Sequence, residues 1–329
     1  MNQVYHKIIF GYLAFFLFGG LVLNAQEFCA FDQKHGLLLS QDQSYKSAVT
    51  DLENLLYQQA LKDMKSQTFR SSGALYTLPV VVHLIYPPGS NIGTGSNLTN
   101  LEVEHGIDLI NDAFANQGMF KSPIGTDIGI SFCLAKRDPS GNPSSGITRT
   151  ASTLVNQFMC NPGTDAAVEG QIKSLIAWDC RQYVNIWLVT DLFNNNFGCG
   201  LAGFAYFPGA PCTVDGIMQE ARYWTNAGGV GVTAHEIGHY LGLDHTFANG
   251  CANADCMLDG DRVCDTPPDN SPSFAPCGIN SCNTDSPDLP DDTENYMDYT
   301  GCSPLHFTGG QKTRMVNALL LRRASLLTS

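Results

Sequence analysis

His235-Glu236-Ile237-Gly238-His239-Tyr240-Leu241-Gly242-Leu243-Asp244-His245 is the stretch from which the rest of the chain is best read. On an α-helix, residues i and i+4 lie on the same face. His235 and His239 can therefore aim two imidazoles at one metal ion. Glu236 lies one residue along and cannot share that direction. It can instead reach a water on the metal and act as a general base. Gly242 permits a left-handed backbone, so the helix can stop and the chain turn back. That turn allows His245, which is off the helix, to become the third ligand. Three neutral imidazoles leave the fourth position to water, which is the open arrangement of a catalytic zinc site. The bland alternative is a chance run of histidines on a buried helix. Three of the chain's eight histidines falling in this one stretch argue against it.

Upstream, strands and helices alternate. Leu78 to Ile85 is β-rich and apolar on both faces, as in a buried central strand. Thr99 to Glu102 has the form of a capping box, and Val103, Ile107, Ile110 and Phe114 then mark one helical face, closed by Gly118. Ile128 to Ala135 reads as a second strand. Val168, Ile172, Leu175 and Ile176 mark a second helix, and Tyr183 to Val189 a third strand. Gly200 to Phe207 is Gly-rich and strand-like and suits a sheet edge. The alternation predicts an α/β (α+β) fold on a mixed, largely parallel sheet.

Downstream, residues 249–304 are rich in Asp, Asn, Pro, Gly and Cys and show little periodicity. Apolar burial alone would not hold such a segment. Its six cysteines (251, 256, 264, 277, 282 and 302) allow 15 connectivities. Asp259, Asp261, Asp265 and the Thr266 carbonyl offer hard oxygen ligands close together, of the kind calcium takes. By composition alone a solvated acidic loop is the simpler reading. Thr308 to Gln311 then caps a terminal helix carrying Met315, Leu319 and Leu320.

Asn295-Tyr296-Met297-Asp298-Tyr299 lies about fifty residues after His245. A histidine helix followed by a methionine-containing turn is the metzincin pattern. With His235 to Phe247, Gly260-Asp261-Arg262-Val263-Cys264-Asp265-Thr266-Pro267 and Phe307 to Gln311, it resembles the pappalysin family of metzincins, particularly the ulilysin-like members. The resemblance covers about residues 73–329. It implies a catalytic domain over 75–329, with an upper subdomain (75–242) and a lower one (243–329) flanking a cleft. The upper part would hold a twisted, mostly parallel five-stranded sheet with an antiparallel edge strand and the active-site helix. The lower would be irregular, stabilised by disulfides and calcium, and end in a helix. It further implies hydrolysis of peptide bonds in proteins and peptides, with zinc on His235, His239 and His245 and Glu236 as general base. Met297 would form a floor beneath the metal, and Tyr299 would donate its hydroxyl to the developing oxyanion. Cys277 is expected with Cys302, Cys282 with Cys251 or Cys256, and Cys264 with the one left over. One departure stands out. Ulilysin-like members often carry acidic residues between the Met-turn tyrosine and the next cysteine, and favour a basic residue after the scissile bond. Here only Thr300-Gly301 precedes Cys302, which leaves Asp298 as the nearest acidic side chain.

The N-terminus reads as an export signal over 1–25: Lys7, an apolar run from Ile8 to Leu23, then Leu23-Asn24-Ala25 at the cut. Residues 26–74 are polar and helix-prone, with Leu52, Leu55, Leu56, Ala60 and Met64 at helical spacing. They end in a flexible, basic stretch over 65–73 that suits proteolytic nicking. Phe28 to His35 resembles the start of a family propeptide, in which Cys29, or alternatively Asp32, would block the zinc as a latch. If Cys29 leaves with the propeptide, eleven of the 12 cysteines remain and one must be free. Cys133, in an apolar strand, is the natural candidate for a buried thiol.

The net charge of −13 argues against nucleic acid and against an anionic membrane surface. Twelve cysteines behind an export signal point to an oxidising compartment, extracellular or periplasmic. A monomer acting on protein or peptide substrates, free of the membrane after signal cleavage, is the expectation. The rivals are a catalytically inactive binding module on the same fold, which an intact Glu236 disfavours, and hydrolysis of a non-peptide amide.

Overall fold

The computed structural model describes residues 29–66, 75–156, 162–192, 201–271, 276–283, 285–299 and 301–328. The expected leader over 1–25 and residues 67–73 of the expected nicking stretch lie outside them.

Strand β1 (Tyr76–Tyr86) is the axis of the sheet. Its apolar run is buried because both faces are covered, as in parallel sheets generally. The order is β2-β1-β4-β6-β5, where β2 is Ile130–Leu134, β4 Val184–Val189, β6 Ile217–Glu220 and β5 Gly203–Ala205. β5 alone runs antiparallel, against β6. The sheet is five strands wide, as the resemblance implied, but contains six strands. β2 pairs with the first half of β1 and β3 (Ile147–Ala151) with the second half, so two short strands share one edge.

Side-chain alternation in the strands sorts the core into two layers. Val80, Val82, Ile186 and Leu188 face α3 (Asn100–Phe114) and α5 (Ala227–Tyr240). Trp187, Val189, Phe204 and Met218 face Val168 and Ile172 of α4 (Pro162–Leu175). The expected capping box forms, with the Thr99 side chain accepting from Glu102 N and the Glu102 carboxylate from Thr99 N. The same alternation corrects the reading of Cys133. It is free, but it is exposed between the buried Phe132 and Leu134, because it points away from the layer that α3 covers.

Among the described residues the lower part holds one α-helix, α6 (Gly309–Arg322), whose Thr308–Gln311 capping box also forms. Met315 and Leu319 of this helix join the main core. Cys251–Cys282, Cys256–Cys264 and Cys277–Cys302 staple the irregular segment before it. A fourth bridge, Cys180–Cys212, lies in the upper part. At the N-terminus, α1 (Phe31–Gln41) and α2 (Gln43–Ser66) lie across the cleft between the two parts. Tyr45, Val49, Leu52 and Leu56 pack with Phe207, Tyr299 and Ala318, while Leu55 points outward.

Candidate metal centre

α5 starts at Asn226, whose side chain accepts from Gly229 N, and runs to Tyr240. Gly242 follows at φ 93° and turns the chain back, as its position after the helix predicts. His235, His239 and His245 are all buried. Their Nε2 atoms form a triangle with sides of 3.2, 3.1 and 3.1 Å. Each Nδ1 is engaged on the far side of its ring: His235 with Tyr296 O at 2.6 Å, His239 with Leu243 O at 2.8 Å, and His245 with the Asp32 carboxylate at 3.0 Å. These acceptors place the ring protons on Nδ1 and leave three Nε2 lone pairs facing one point. Burial pushes His235 down to about 3 and His239 well below its ordinary value, so both rings stay neutral. Zinc held tetrahedrally sets its nitrogen ligands about 3.3–3.4 Å apart. The residues present therefore fit that ion in number, type, protonation and spacing.

The Cys29 thiol joins the triangle, and the Glu236 carboxyl stands beside that thiol. The Glu236 side chain is fully buried, and burial pushes its carboxyl up to about 8. Gly203 of β5 makes room for it: a methyl there would lie 3.1 Å from Glu236 Oε1. The Cys29 thiol stands 3.4 Å from Glu236 Oε2, and its sulfur and the three histidine nitrogens all lie within 4.8 Å of one another. The Tyr299 hydroxyl donates to the Cys29 carbonyl at 2.9 Å. Phe31 stacks on His239 with centroids 3.8 Å apart. Cys29 forms a bridge with Gly203, and Ala30 N donates to Gly203 O at 3.3 Å. Asp32, the alternative latch, is not in the metal-sized group but touches the outer nitrogen of His245. Met297 packs under the helix, where a methyl on Gly238 would sit 2.4 Å from its sulfur.

The carboxylates singled out for calcium each accept from backbone N–H or hydroxyl groups. Asp259 accepts from Ala254 N and Asp255 N. Asp261 accepts from Val263 N and the Thr266 hydroxyl, and burial pushes it up to about 8. Asp265 accepts from the Thr308 hydroxyl and Gly310 N. Among the described residues no metal-sized cluster includes any of the three. The other cluster of that size is Asp179 with Cys180 and Cys212, which are already joined to each other. Asp298 is buried, and burial followed by Asp269 raises its carboxyl to about 7.

Other contacts around the cleft carried no motif. Glu53 of α2 pairs with Arg314 of α6 at 2.7 Å. Lys34 of α1 pairs at 2.5 Å with Glu169 of α4, which also takes Lys173 at 2.7 Å. The one available signal was Glu169 and Lys173 at i, i+4 on a helix face otherwise marked by Val168 and Ile172.

The described residues include no helix long and apolar enough to cross a membrane. A family model described as Pregnancy-associated plasma protein-A matches residues 167–320. Extracellular metalloprotease 1 of Coccidioides posadasii is 37% identical over 180 residues, 51% of this chain and 59% of that protein. The chain thus spans less than two thirds of that relative. An extracellular metalloprotease of Colletotrichum graminicola is 28% identical over 260 residues, 74% of this chain and 76% of the relative. Among solved structures, mature mirolysin of Tannerella forsythia, in complex with a cleaved peptide, matches with a TM-score of 0.59 at 26% identity, over 77% of this chain and 96% of that one. A promirolysin variant from the same organism shares the fold, with a TM-score of 0.64 at 24% identity over 91% and 97%.

A mixed sheet, a histidine-bearing helix with its third histidine after a glycine turn, and a methionine packed beneath define a metzincin. Within that class, the match over the helix and the segment after it is to one group. The chain resembles the pappalysin family, whose model matches residues 167–320, and shares the fold of mirolysin.

Proposed function

We propose that this chain is an exported zinc endopeptidase, held latent by residues 26–74 until they are cut away. The observation that carries the reading is the 3.1–3.2 Å triangle of Nε2 atoms, with the Cys29 thiol beside it and the Glu236 carboxyl 3.4 Å from that thiol. A zinc ion bound there supplies a Lewis acid that acidifies a water and polarises a carbonyl.

The protein's own groups do the rest. Glu236 takes a proton at its carboxylate from the attacking water and later delivers it to the leaving amine. A carboxyl raised by burial is suited to both steps near neutral pH. The Tyr299 hydroxyl, which donates to the Cys29 carbonyl, would donate instead to the substrate oxygen that gains charge. A substrate would lie as an added strand along β5, where Cys29 and Ala30 now pair with Gly203. In the latent form the Cys29 sulfur fills the position the water needs. Asp32 would steady His245 from behind.

Casein hydrolysis by the purified full-length chain, before and after limited proteolysis and with and without a chelator, tests the reading. Turnover should appear only after nicking and vanish with the chelator. Turnover that survives complete removal of metal would overturn it.

A further inference from the structure

Lys34 does more than its place on a latch helix requires. Cys29 and Ala30 lie along β5, and Lys34 then sends its side chain around that strand, away from the histidines. Its ammonium meets Glu169 at 2.5 Å and sits 4.1 Å from the centre of the Phe204 ring. Glu169 also accepts from the Tyr206 hydroxyl at 3.0 Å and from Lys173 at 2.7 Å. Phe204 and Tyr206 flank Ala205 and face the α4 layer, whereas Ala205 faces the α5 layer. All four lining side chains are buried. Burial alone would raise the Glu169 carboxyl, and Lys173 and Lys34 together outweigh it and hold the group below its usual range.

Glu169 already has a cation of its own. Lys173 neutralises Glu169 and is also held by the Val214 carbonyl and the rings of Trp187 and Tyr206. Lys34 is a second cation in the same pocket, and it enters from the strip where a substrate strand would lie. If the N-terminal segment leaves, the carboxylate oxygen and the Phe204 face it covered become open to that strip.

We propose that Glu169, Phe204 and Tyr206 form a substrate subsite for a lysine or arginine side chain, on the opposite side of β5 from the metal, and that Lys34 occupies it in the latent form. Only a long, cationic side chain reaches round the strand to a carboxylate beside an aromatic face. This rests on the proposed proteolytic reading, and it predicts a basic preference at a position other than the one after the scissile bond.

The full-length chain, activated by limited proteolysis, is given a peptide library and then matched peptides with lysine or norleucine at the enriched position. Wild type should favour lysine by about tenfold in kcat/KM, the scale of one charge-assisted pair. In Glu169→Gln that ratio should fall to about one. Casein cleavage without basic enrichment away from the scissile bond, or an unchanged ratio in Glu169→Gln, overturns the subsite. A second measurement needs no altered enzyme. A synthetic peptide of residues 29–41 should bind the activated chain about tenfold more tightly than its Lys34→Met version. Equal binding of the two overturns the pocket. Absence of any casein cleavage would sink the proteolytic reading instead, and the peptide pair would still decide whether the pocket takes a cation.

Discussion

Above the metal site, β1 and β4 are buried nearly end to end between two helical layers. Below it, residues 249–304 contain no helix or strand among those described, and three disulfides cross them. The upper part is held by apolar area removed from water, the lower by crosslinks and by carboxylates that collect backbone N–H groups, such as those of Asp259 and Asp265. The candidate metal site straddles both. His235, Glu236 and His239 come from the upper part, and His245, Met297 and Tyr299 from the lower. The candidate base and two candidate ligands thus sit on one helix, while the third comes from the part whose irregular segment is held by crosslinks.

Substitutions can separate those contributions. The largest expected effect is in the upper part. Glu236→Ala should lower casein turnover by about 10³-fold, while elemental analysis still finds one zinc per chain. Near wild-type turnover would show that the base lies elsewhere. Next comes the lower part. Cys277→Ser combined with Cys302→Ser opens a loop of sequence separation 25 and should cost about 3 kcal/mol. Zinc should be lost from this variant at lower denaturant concentration than the far-UV signal of the sheet. Simultaneous loss would mean that the two parts unfold as one.

A pH experiment addresses the upper part alone. His83 in β1 is fully buried between the Thr148 hydroxyl at 2.7 Å and Asn185 Oδ1 at 2.9 Å. Burial pushes it down to about 4 from 6.5. The folded state therefore binds the proton less readily than the unfolded chain. Stability is intact above about pH 6.5 and falls as the pH drops towards 4, by about 3 kcal/mol in all. His83→Gln should flatten that slope in chemical denaturation between pH 7 and 4. An unchanged slope would assign the acid sensitivity to other groups.

The same contrast explains what could be read without coordinates. β1, α3 with its capping box, α5 and α6 follow from periodicity and end signals, because burial imposes period and caps impose residue types. β3 and β6 carry no such mark. Ile-Thr-Arg-Thr-Ala is half-exposed along its length, and Ile-Met-Gln-Glu is only four residues long. In the lower part His245 and Tyr299 were singled out from chemistry and resemblance, and the fold sets their rings beside His235. How the acidic loop folds was not legible, since composition does not reveal which N–H groups each carboxylate accepts. Lys34 and Glu169 are 135 residues apart and belong to no motif, so only the folded chain brings them together.

The smallest expected effect lies at the seam. Gly238 is the helix residue against which the lower part packs. A methyl there would sit 2.4 Å from Met297 Sδ and 3.4 Å from a Leu243 methyl. In an isolated helix, alanine is favoured over glycine by about 1 kcal/mol. Here the turn carrying Met297 must give way, and overpacking of that kind costs about 1–3 kcal/mol. Gly238→Ala should therefore destabilise the fold by at most about 2 kcal/mol, with the shift concentrated around Met297 and Tyr299. Because the Tyr299 hydroxyl moves with that turn while Glu236 does not, kcat should fall more than zinc affinity. A gain in stability with unchanged kcat would mean that the two parts meet more loosely than the contact of Met297 with Gly238 indicates.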